Sequence, residues 1–391
     1  KIGIFAPMIT REQFELLMSG EVREAIRRNR ERDPLEVALD KRIVHPSLVA
    51  TQVKPLQRAR RKLPSYAAAE CILPPRAYEQ SSSEAVAAVK RLSGDRLLDL
   101  TCGLGVDSFL LARRFREVVT VERDPVLADI ARENFRRLGV ERVRVVHASA
   151  EEYLAGCRER FDWIYVDPDR RDAAGRRQVR LEDCSPDVLA LRGRLGEAAD
   201  RLCVKCSPLF DVDEAFRLLP GCRVEAVSAG DECKELNICL DGSMAGGRSA
   251  EAVGLGRVEV AAGEYDPSPS AGPFEPERYR WLAVPDVALR KVRVVCHLLR
   301  ESCFVRSENG YGFAAERPGE FPGRVFEIEG IEPYEPKRLK RSLKGVRAEI
   351  LKHDFPLRTE RILSDTGLRE GGDCRLAFTR VDGKNWMIRL K

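Results

Sequence analysis

Three observations predict an α/β fold built on a doubly wound sheet. Apolar, strand-like runs alternate with helical stretches from Arg96 to about Leu240. The first of these runs breaks into a glycine turn, and two later ones end on carboxylates, at Glu122 and Asp167. Alternation of this kind buries a mostly parallel sheet between helices, and ligands of such sheets lie beyond the carboxyl ends of the strands.

In chain order, Ile9 to Leu63 reads as helical and arginine-rich. EVREAIRRNRERD (Glu21 to Asp33) and RARRKL (Arg58 to Leu63) supply basic faces that in the ordinary case are solvated helix surface. Pro64, Pro74 and Pro75 mark a turn-rich stretch. EQSSSEAVAAVK (Glu79 to Lys90) then reads as a helix capped by one of its serines. Strands are expected near residues 97–101, 118–122, 142–147, 161–167, 201–206, 223–228 and 236–240. The last two are closely spaced and fit an antiparallel pair at one edge. Gly, Ser and Pro accumulate between Gly242 and Pro276, which marks a domain boundary or a long surface loop. Beyond it, strands at Arg324–Ile328, Arg375–Thr379 and Trp386–Leu390 mix with helices at Val287–Leu299, Pro336–Leu343 and Arg358–Thr366, as in a separate α+β domain. The expected division is a helical region over residues 1–78, the doubly wound domain over 79–265 and the α+β domain over 266–391.

Composition sets mild bounds. A chain of 391 residues holds two or three domains. Its net charge of +5, from 67 basic against 62 acidic residues, does not by itself announce a polyanionic partner. The 12 cysteines are scattered, and Cys203, Cys239 and Cys296 sit in apolar runs where a reduced thiol packs as a small hydrophobe, so a reducing cytoplasm is expected. Cys203 and Cys206 face opposite sides of a strand and only four histidines exist, which argues against a metal or redox centre. There is no signal peptide and no apolar run long enough to span a bilayer, so no membrane partner is expected. The chain begins at Lys1 without Met, which suggests that a few residues precede it.

The chemistry concentrates at RLLDLTCGLGVD, Arg96 to Asp107. Leu97, Leu98 and Leu100 supply a strand, Gly103 and Gly105 permit positive φ and close backbone approach, and Phe109 to Leu111 open the helix behind. Glu122 follows the turn by about twenty residues, the spacing at which a carboxylate accepts hydrogen bonds from ribose hydroxyls. Dinucleotide turns carry a third glycine against the pyrophosphate, whereas this turn continues into Asp107 and Ser108. A carboxylate there repels pyrophosphate and favours the cationic sulfonium and amino group of S-adenosylmethionine. The methyl donor is therefore preferred, with an NAD-dependent oxidoreductase as the runner-up. FDWIYVDPDRR (Phe161 to Arg171) puts Asp167 and Pro168 at the end of the fourth strand, facing the same crevice, although Asp-Pro pairs are also ordinary turn starters.

Arg170 and Arg171, with Arg176, Arg177 and Arg180, suit bidentate phosphate contacts at the crevice mouth, and equally suit salt bridges to Asp169, Asp172, Glu182 and Asp183. Lys205 either meets substrate phosphate or caps the sheet. Cys184 and Cys206 read as packing, and the block around Glu232, Lys234 and Glu235 as closing the crevice, with Lys234 otherwise paired to a carboxylate. KRLKRSLKG (Lys337 to Gly345), beside Lys352, His353 and Arg358, is a candidate nucleic-acid surface.

EQSSSEA (Glu79 to Ala85), DLTCGLGVDS (Asp99 to Ser108), VDPDRRD (Val166 to Asp172), LEDCSPD (Leu181 to Asp187), VKCSP (Val204 to Pro208), ECKEL (Glu232 to Leu236), FPGRVFE (Phe321 to Glu327) and GGD (Gly371 to Asp373) occur together. In this combination, over nearly the whole chain, the sequence resembles the bacterial class I methyltransferases with a C-terminal THUMP-like domain, common in Bacteroidetes. The resemblance implies a Rossmann-like domain that binds S-adenosylmethionine, followed by a ferredoxin-like, THUMP-like region. True THUMP domains bind RNA, usually transfer RNA, so tRNA or rRNA enters as a partner by fold analogy. Carried over by position, Asp99, Thr101, Gly103, Gly105 and Asp107 match the cofactor turn, Glu122 the ribose carboxylate, and Asp167 with Pro168 the catalytic motif.

Two departures stand out. Ser149 occupies the place where many related enzymes hold the adenine amino group with an acid, leaving the Ser149 hydroxyl and the Ala150 N–H to serve. Asp167-Pro168-Asp169-Arg170 also lacks the second proline and the aromatic of the amino-methylating motif, so the methylated atom is not specified. The expected function is methyl transfer to RNA, by holding nucleophile and methyl carbon in attack geometry with Asp167 orienting the nucleophile. Methylation of a protein or small molecule, and a non-catalytic module that binds cofactor or RNA, are the other two readings.

Overall fold

The computed structural model describes residues 9–169, 180–242 and 245–391. The chain divides into two compact units, Lys1–Phe210 with Asn237–Gly242, and Asp211–Leu236 with Ser243–Lys391.

The first unit opens with the helices Arg11–Met18, Gly20–Asn29, Pro34–Leu39 and Pro46–Lys62, as the periodicity predicts. Thr10, Ser19 and Asp33 cap the first three by accepting backbone N–H bonds. The expected helix over 79–90 is two pieces, Pro75–Gln80 and Glu84–Ala88, because the serines between them take cap and side-chain roles. Ser83 caps the second piece, accepting from the Val86 N–H at 3.3 Å.

Five strands follow: β1 (Gly94–Asp99), β2 (Phe115–Glu122), β3 (Val143–His147), β4 (Phe161–Val166) and β5 (Ala199–Cys206). They lie in the order β3-β2-β1-β4-β5, with every pair parallel. The order reverses between β1 and β4, and that reversal opens the crevice in which sheets of this kind bind ligands. Register fixes what meets there, since Asp99 of β1 is level with Thr120 of β2 and Tyr165 of β4. One core gathers Tyr66, Leu104, Phe109, Ala131 and Phe135, and another Leu97, Phe115, Trp163, Tyr165 and Cys203.

The second unit contains β6 (Arg223–Ala229), the start of β7 (Glu232–Leu240), β8 (Arg248–Ala252) and β9 (Gly256–Val260). β6 and β7 are neighbours joined through Gly230 and Asp231, both at positive φ, as a tight hairpin requires. They do not end the sheet, because β8 pairs with β6 in parallel and β9 with β8 antiparallel. The loop expected between Gly242 and Pro276 therefore contains two strands. Their charged residues concealed them: Arg257, with 7% of its side chain exposed, binds Glu225, Glu251 and Glu259 across three strands. Cross-strand ion pairing supplies here what apolar alternation supplies elsewhere.

The rest of the second unit is an eight-stranded sheet. Its strands are β10 (Trp281–Pro285), β11 (Phe304–Val305), β12 (Gly312–Ala314), β13 (Gly323–Pro333), β14 (Arg347–Lys352), β15 (Arg369–Glu370), β16 (Cys374–Val381) and β17 (Lys384–Leu390). The order is β11-β12-β10-β13-β17-β16-β14-β15. Helices Pro336–Leu343 and Thr359–Thr366 connect β13 to β14 and β14 to β15, and pack through Leu339, Leu343 and Ile362 against Leu376, Phe378 and Met387. The helix expected over Val287–Leu299 is broken at Arg293, which adopts φ +59°, into Val287–Lys291 and Val295–Leu299. None of the described helices is long and apolar enough to cross a membrane.

Candidate active site

β1 delivers Asp99 into a fully buried position, where it organises the turn that follows. Its carboxylate accepts from the Thr101 N–H at 2.9 Å, the Ser108 hydroxyl at 2.6 Å and the Thr120 hydroxyl at 3.1 Å. Burial pushes the Asp99 carboxyl up to about 6, against the lowering effect of those bonds. A carboxyl raised on folding binds its proton more tightly in the folded state, so its stabilising contribution is present at low pH and is lost between about pH 4 and pH 6. Across that window the wild type is expected to lose on the order of 2 kcal/mol relative to Asp99→Asn. Parallel urea titrations at pH 4 and pH 7 would test this, and a constant difference would refute it.

The turn residues follow. Gly103 adopts φ +54° with nothing within 4 Å of where a Cβ would stand, so its backbone faces open space. Its N–H donates to Glu122 Oε2 at 2.8 Å, and the Asp124 N–H donates to Oε1 at 2.9 Å. Burial raises the Glu122 carboxyl, and these two bonds oppose the shift. Gly105, at φ +81°, starts helix Val106–Leu111, and a Cβ there would lie 2.6 Å from the Phe135 ring. Gly105→Ala therefore combines left-handed strain with a clash against a packed ring, and is expected to cost about 2–3 kcal/mol in urea denaturation. A loss below 0.5 kcal/mol, as for an ordinary surface change, would be the contrary result.

Across the order reversal, Thr101 ties β1 to the end of β4. Its hydroxyl accepts the Asp167 N–H at 2.7 Å. Asp167 Oδ2 in turn accepts from Lys205 at 2.6 Å, and Lys205 also donates to the Ser82 hydroxyl at 2.9 Å. Ser82 donates to Asp107 at 2.9 Å, and Lys205 lies 3.8 Å from the same carboxylate. Lys90, with 1% of its side chain exposed, completes the chain at 2.9 Å from Asp107. Burial would raise Asp107, but the two ammonium groups outweigh it and hold the carboxyl well below the usual carboxylate range. The crevice thus contains two carboxylates interleaved with two ammonium groups.

Asp99, Thr101, Gly103, Gly105, Asp107, Glu122, Asp167, Pro168 and Lys205 are all gathered at the ends of β1, β2, β4 and β5 and the turns that follow. Two details differ from expectation. Asp107, expected to face a cationic ligand, already faces Lys90 and Lys205. Lys205, expected at substrate phosphate or as a sheet cap, is tied to Asp167, and a phosphate would have to displace those bonds. Ser149 caps helix Ala150–Gly156, with its N–H and hydroxyl both exchanged with Glu152, while Ala150 follows as the first helical residue. Asp169 pairs with Ser185 through two backbone bonds and lies 3.4 Å from Arg123.

Arg170, Arg171, Arg176 and Arg177 lie outside the described residues, and Arg180 is 3.7 Å from Glu182. Lys234 pairs with Glu232. Lys90, Ser82 and Thr120 were not singled out in the sequence. The one signal for them was chemical, in that an aspartate at a buried turn requires a nearby cation.

In the second unit, Lys337, Arg338, Lys340, Arg341 and Lys344 are exposed around helix Pro336–Leu343 while Leu339 and Leu343 are buried, a clean basic face. His353 does not add to that charge. Burial and the neighbouring Arg290 push its imidazole down to about 3, and the ring stands edge-on to Tyr311.

Residues 97–179 match the family described as methyltransferase domain, and residues 323–391 the family described as THUMP domain-like. The chain joins a methyltransferase domain to a THUMP-like domain. Among curated proteins, the Ribosomal RNA small subunit methyltransferase J of Coxiella burnetii (strain RSA 331) is 32% identical over 126 residues, covering 28% of this chain and 49% of that protein. The 23S rRNA (uracil(1939)-C(5))-methyltransferase RlmD of Aeromonas salmonicida is 38% identical over 120 residues, covering 28% of this chain and 27% of that one. The chain thus spans about half the length of the first of these relatives and about a quarter of the second. A crystal structure from Porphyromonas gingivalis W83, provisionally described as a methyltransferase, covers 98% of this chain at 24% identity with a TM-score of 0.81. That likeness establishes the fold over nearly the whole chain.

Proposed function

We propose that this protein is an S-adenosylmethionine-dependent methyltransferase that modifies RNA. The observation that carries this reading is the convergence at the order reversal, where the Glu122 carboxylate at the end of β2 braces the open glycine turn that follows β1, and Asp167 stands just past the end of β4. The donor set fits the cofactor. Glu122 has lone pairs left for ribose hydroxyls after accepting from Gly103 and Asp124, and the backbone at Gly103 leaves room for a close approach. Asp99 and Thr101 hold this turn in shape from beneath, and Ser149 with the Ala150 N–H supplies the polar edge for the adenine.

When bound, S-adenosylmethionine supplies a methyl group already activated by its sulfonium. The protein's task is then to position the nucleophile. Lys205, donating to Asp167 Oδ2 at 2.6 Å, keeps that carboxylate aimed, so Lys205 serves as a positioning residue. Asp167 orients the nucleophile and takes its proton if it carries one, and Pro168 fixes the backbone at that point. Arg170 and Arg171 would meet substrate phosphate.

RNA is favoured because the named relatives act on ribosomal RNA and because the THUMP-like domain carries the basic helix face. None of the twelve cysteines is joined in a disulfide, which suits a reducing cytoplasm. Incubating the full chain with total bacterial RNA and methyl-labelled S-adenosylmethionine tests the reading. Label in polynucleotide that nuclease converts to mononucleotides is the expected result. Label that survives in protein or small metabolites would replace RNA as the substrate. Reversing charge at Lys340→Glu and Arg341→Glu should weaken RNA binding about tenfold and flatten its salt dependence by roughly two charges. A filter-binding series from 50 to 200 mM salt, with an unchanged slope as the contrary outcome, measures both.

A further inference from the structure

A cavity of about 440 Å³ lies apart from the crevice, among the N-terminal helices of the first unit. Its size is that of ordinary small-ligand sites. Leu17, Ile26, Leu56 and Ile72 give it an apolar floor, and Arg23, Arg27, Arg30, Arg60 and Arg137 give it a cationic rim. Only two glutamates, Glu31 and Glu70, line it as well. Arg27 binds Glu70 at 2.8 Å and Arg60 binds Glu31, while Arg23 has no carboxylate partner among the described residues. Arg137 is paired with Glu133 at 2.7 Å just outside the lining, so the five lining arginines set against Glu31, Glu70 and Glu133 leave an excess of two positive charges over an apolar surface.

Guanidinium excess at the mouth of a dry floor suits a ligand with a compact, multiply charged anion and a flat, weakly polar body. One more group narrows the class. Gln57 donates its amide N–H bonds to the carbonyls of Arg30 and Arg32, at 2.9 and 2.8 Å. Among the described residues no donor reaches its Oε1, so the cavity offers an acceptor suited to a base N–H. An apolar carboxylic acid would match the charge but leave that acceptor unmet.

We propose that this cavity is a nucleotide site that takes a nucleoside monophosphate, with the phosphate on the arginine rim and the base on the apolar floor. The monophosphate is either free or one unstacked residue of an RNA chain. The site is separate from the methyl-transfer crevice, and only its RNA source rests on the RNA reading given above.

The probes are uridine 5′-monophosphate, a uridine decamer and decanoate, each titrated into the full chain by calorimetry with and without saturating S-adenosylhomocysteine. The variants are Arg23→Glu, which reverses the unpartnered charge, and Ala68→Trp, which fills the mouth from an exposed lining position. Uridine monophosphate is expected to bind and each variant to weaken it at least tenfold, with melting temperature unchanged. If Ala68→Trp fails to fold, Arg23→Glu alone decides. Decamer affinity at least tenfold above that of the monophosphate supports the RNA source, and equal affinity supports the free nucleotide. The proposal is overturned if neither nucleotide probe binds, if both variants bind as the wild type does, if S-adenosylhomocysteine competes, or if decanoate binds and uridine monophosphate does not.

Discussion

Glu122→Ala is expected to abolish measurable binding of S-adenosylhomocysteine, a loss of at least a hundredfold. Two effects combine. The ribose would lose two charge-assisted hydrogen bonds, each contributing about 1.5–3 kcal/mol. The N–H groups of Gly103 and Asp124 would also lose their acceptor, since both donate to this carboxylate, and the turn would no longer be held in its binding shape. Glu122→Gln keeps the side chain and one good acceptor, so it should fall between the two, with a loss of about tenfold. Calorimetric titration of the three proteins separates these contributions. If Glu122→Ala bound S-adenosylhomocysteine within threefold of the wild type, the carboxylate would not hold the ribose and the site would lie elsewhere.

The second large effect concerns stability. Lys90→Met removes the cation 2.9 Å from Asp107 while leaving a buried carboxylate. Breaking one half of a buried pair typically costs about 3–5 kcal/mol, because the remaining charge is left without compensation. Here Lys205, at 3.8 Å, and the Ser82 hydroxyl retain part of the compensation, so a loss of about 3 kcal/mol is expected. The double variant Lys90→Met/Asp107→Leu should be more stable than the sum of the single losses predicts, by at least about 1 kcal/mol.

The pH dependence has a definite sign. Asp107 is depressed in the folded state, so its contribution is present above the unfolded carboxyl pKa and is lost as pH falls below it. The gap between wild type and Lys90→Met should therefore narrow as pH falls below about 4, the ordinary carboxyl value. Urea titrations at about pH 4 and about pH 2 measure this. A single-variant loss below 1 kcal/mol, or a gap that widens in acid, would remove Lys90 from the site's ionic framework.

Much of the fold was legible because its signals are local. The glycine turn after Asp99, the acidic end of β2 and the Asp-Pro at the end of β4 need only chain spacing to be recognised, and the parallel order then brings them together. The basic helix at Pro336–Leu343 was equally plain, since its two leucines alternate with cations at helical period. Strands β8 and β9 were not legible, because RSAEA and GRVEV carry charges that are satisfied only when Arg257 meets Glu225 of β6 and Glu251 of β8 besides Glu259 of its own strand. The breaks at Ser81–Ser83 and Arg293 escaped for a related reason, as side-chain capping and tertiary position overrode a continuous helical pattern.

The sequence by itself determined the residue types at the crevice, their order along the chain and the class of sheet that presents them, because hydrophobic period and turn chemistry act over a few neighbours. Only the tertiary structure decided the pairing within the site: that Asp107 answers to Lys90 and Lys205, that Asp167 is held by Lys205 and Thr101, and that His353 is neutral. Each of these depends on which groups meet across strands and on how far water is excluded from them, and neither quantity is encoded in local spacing.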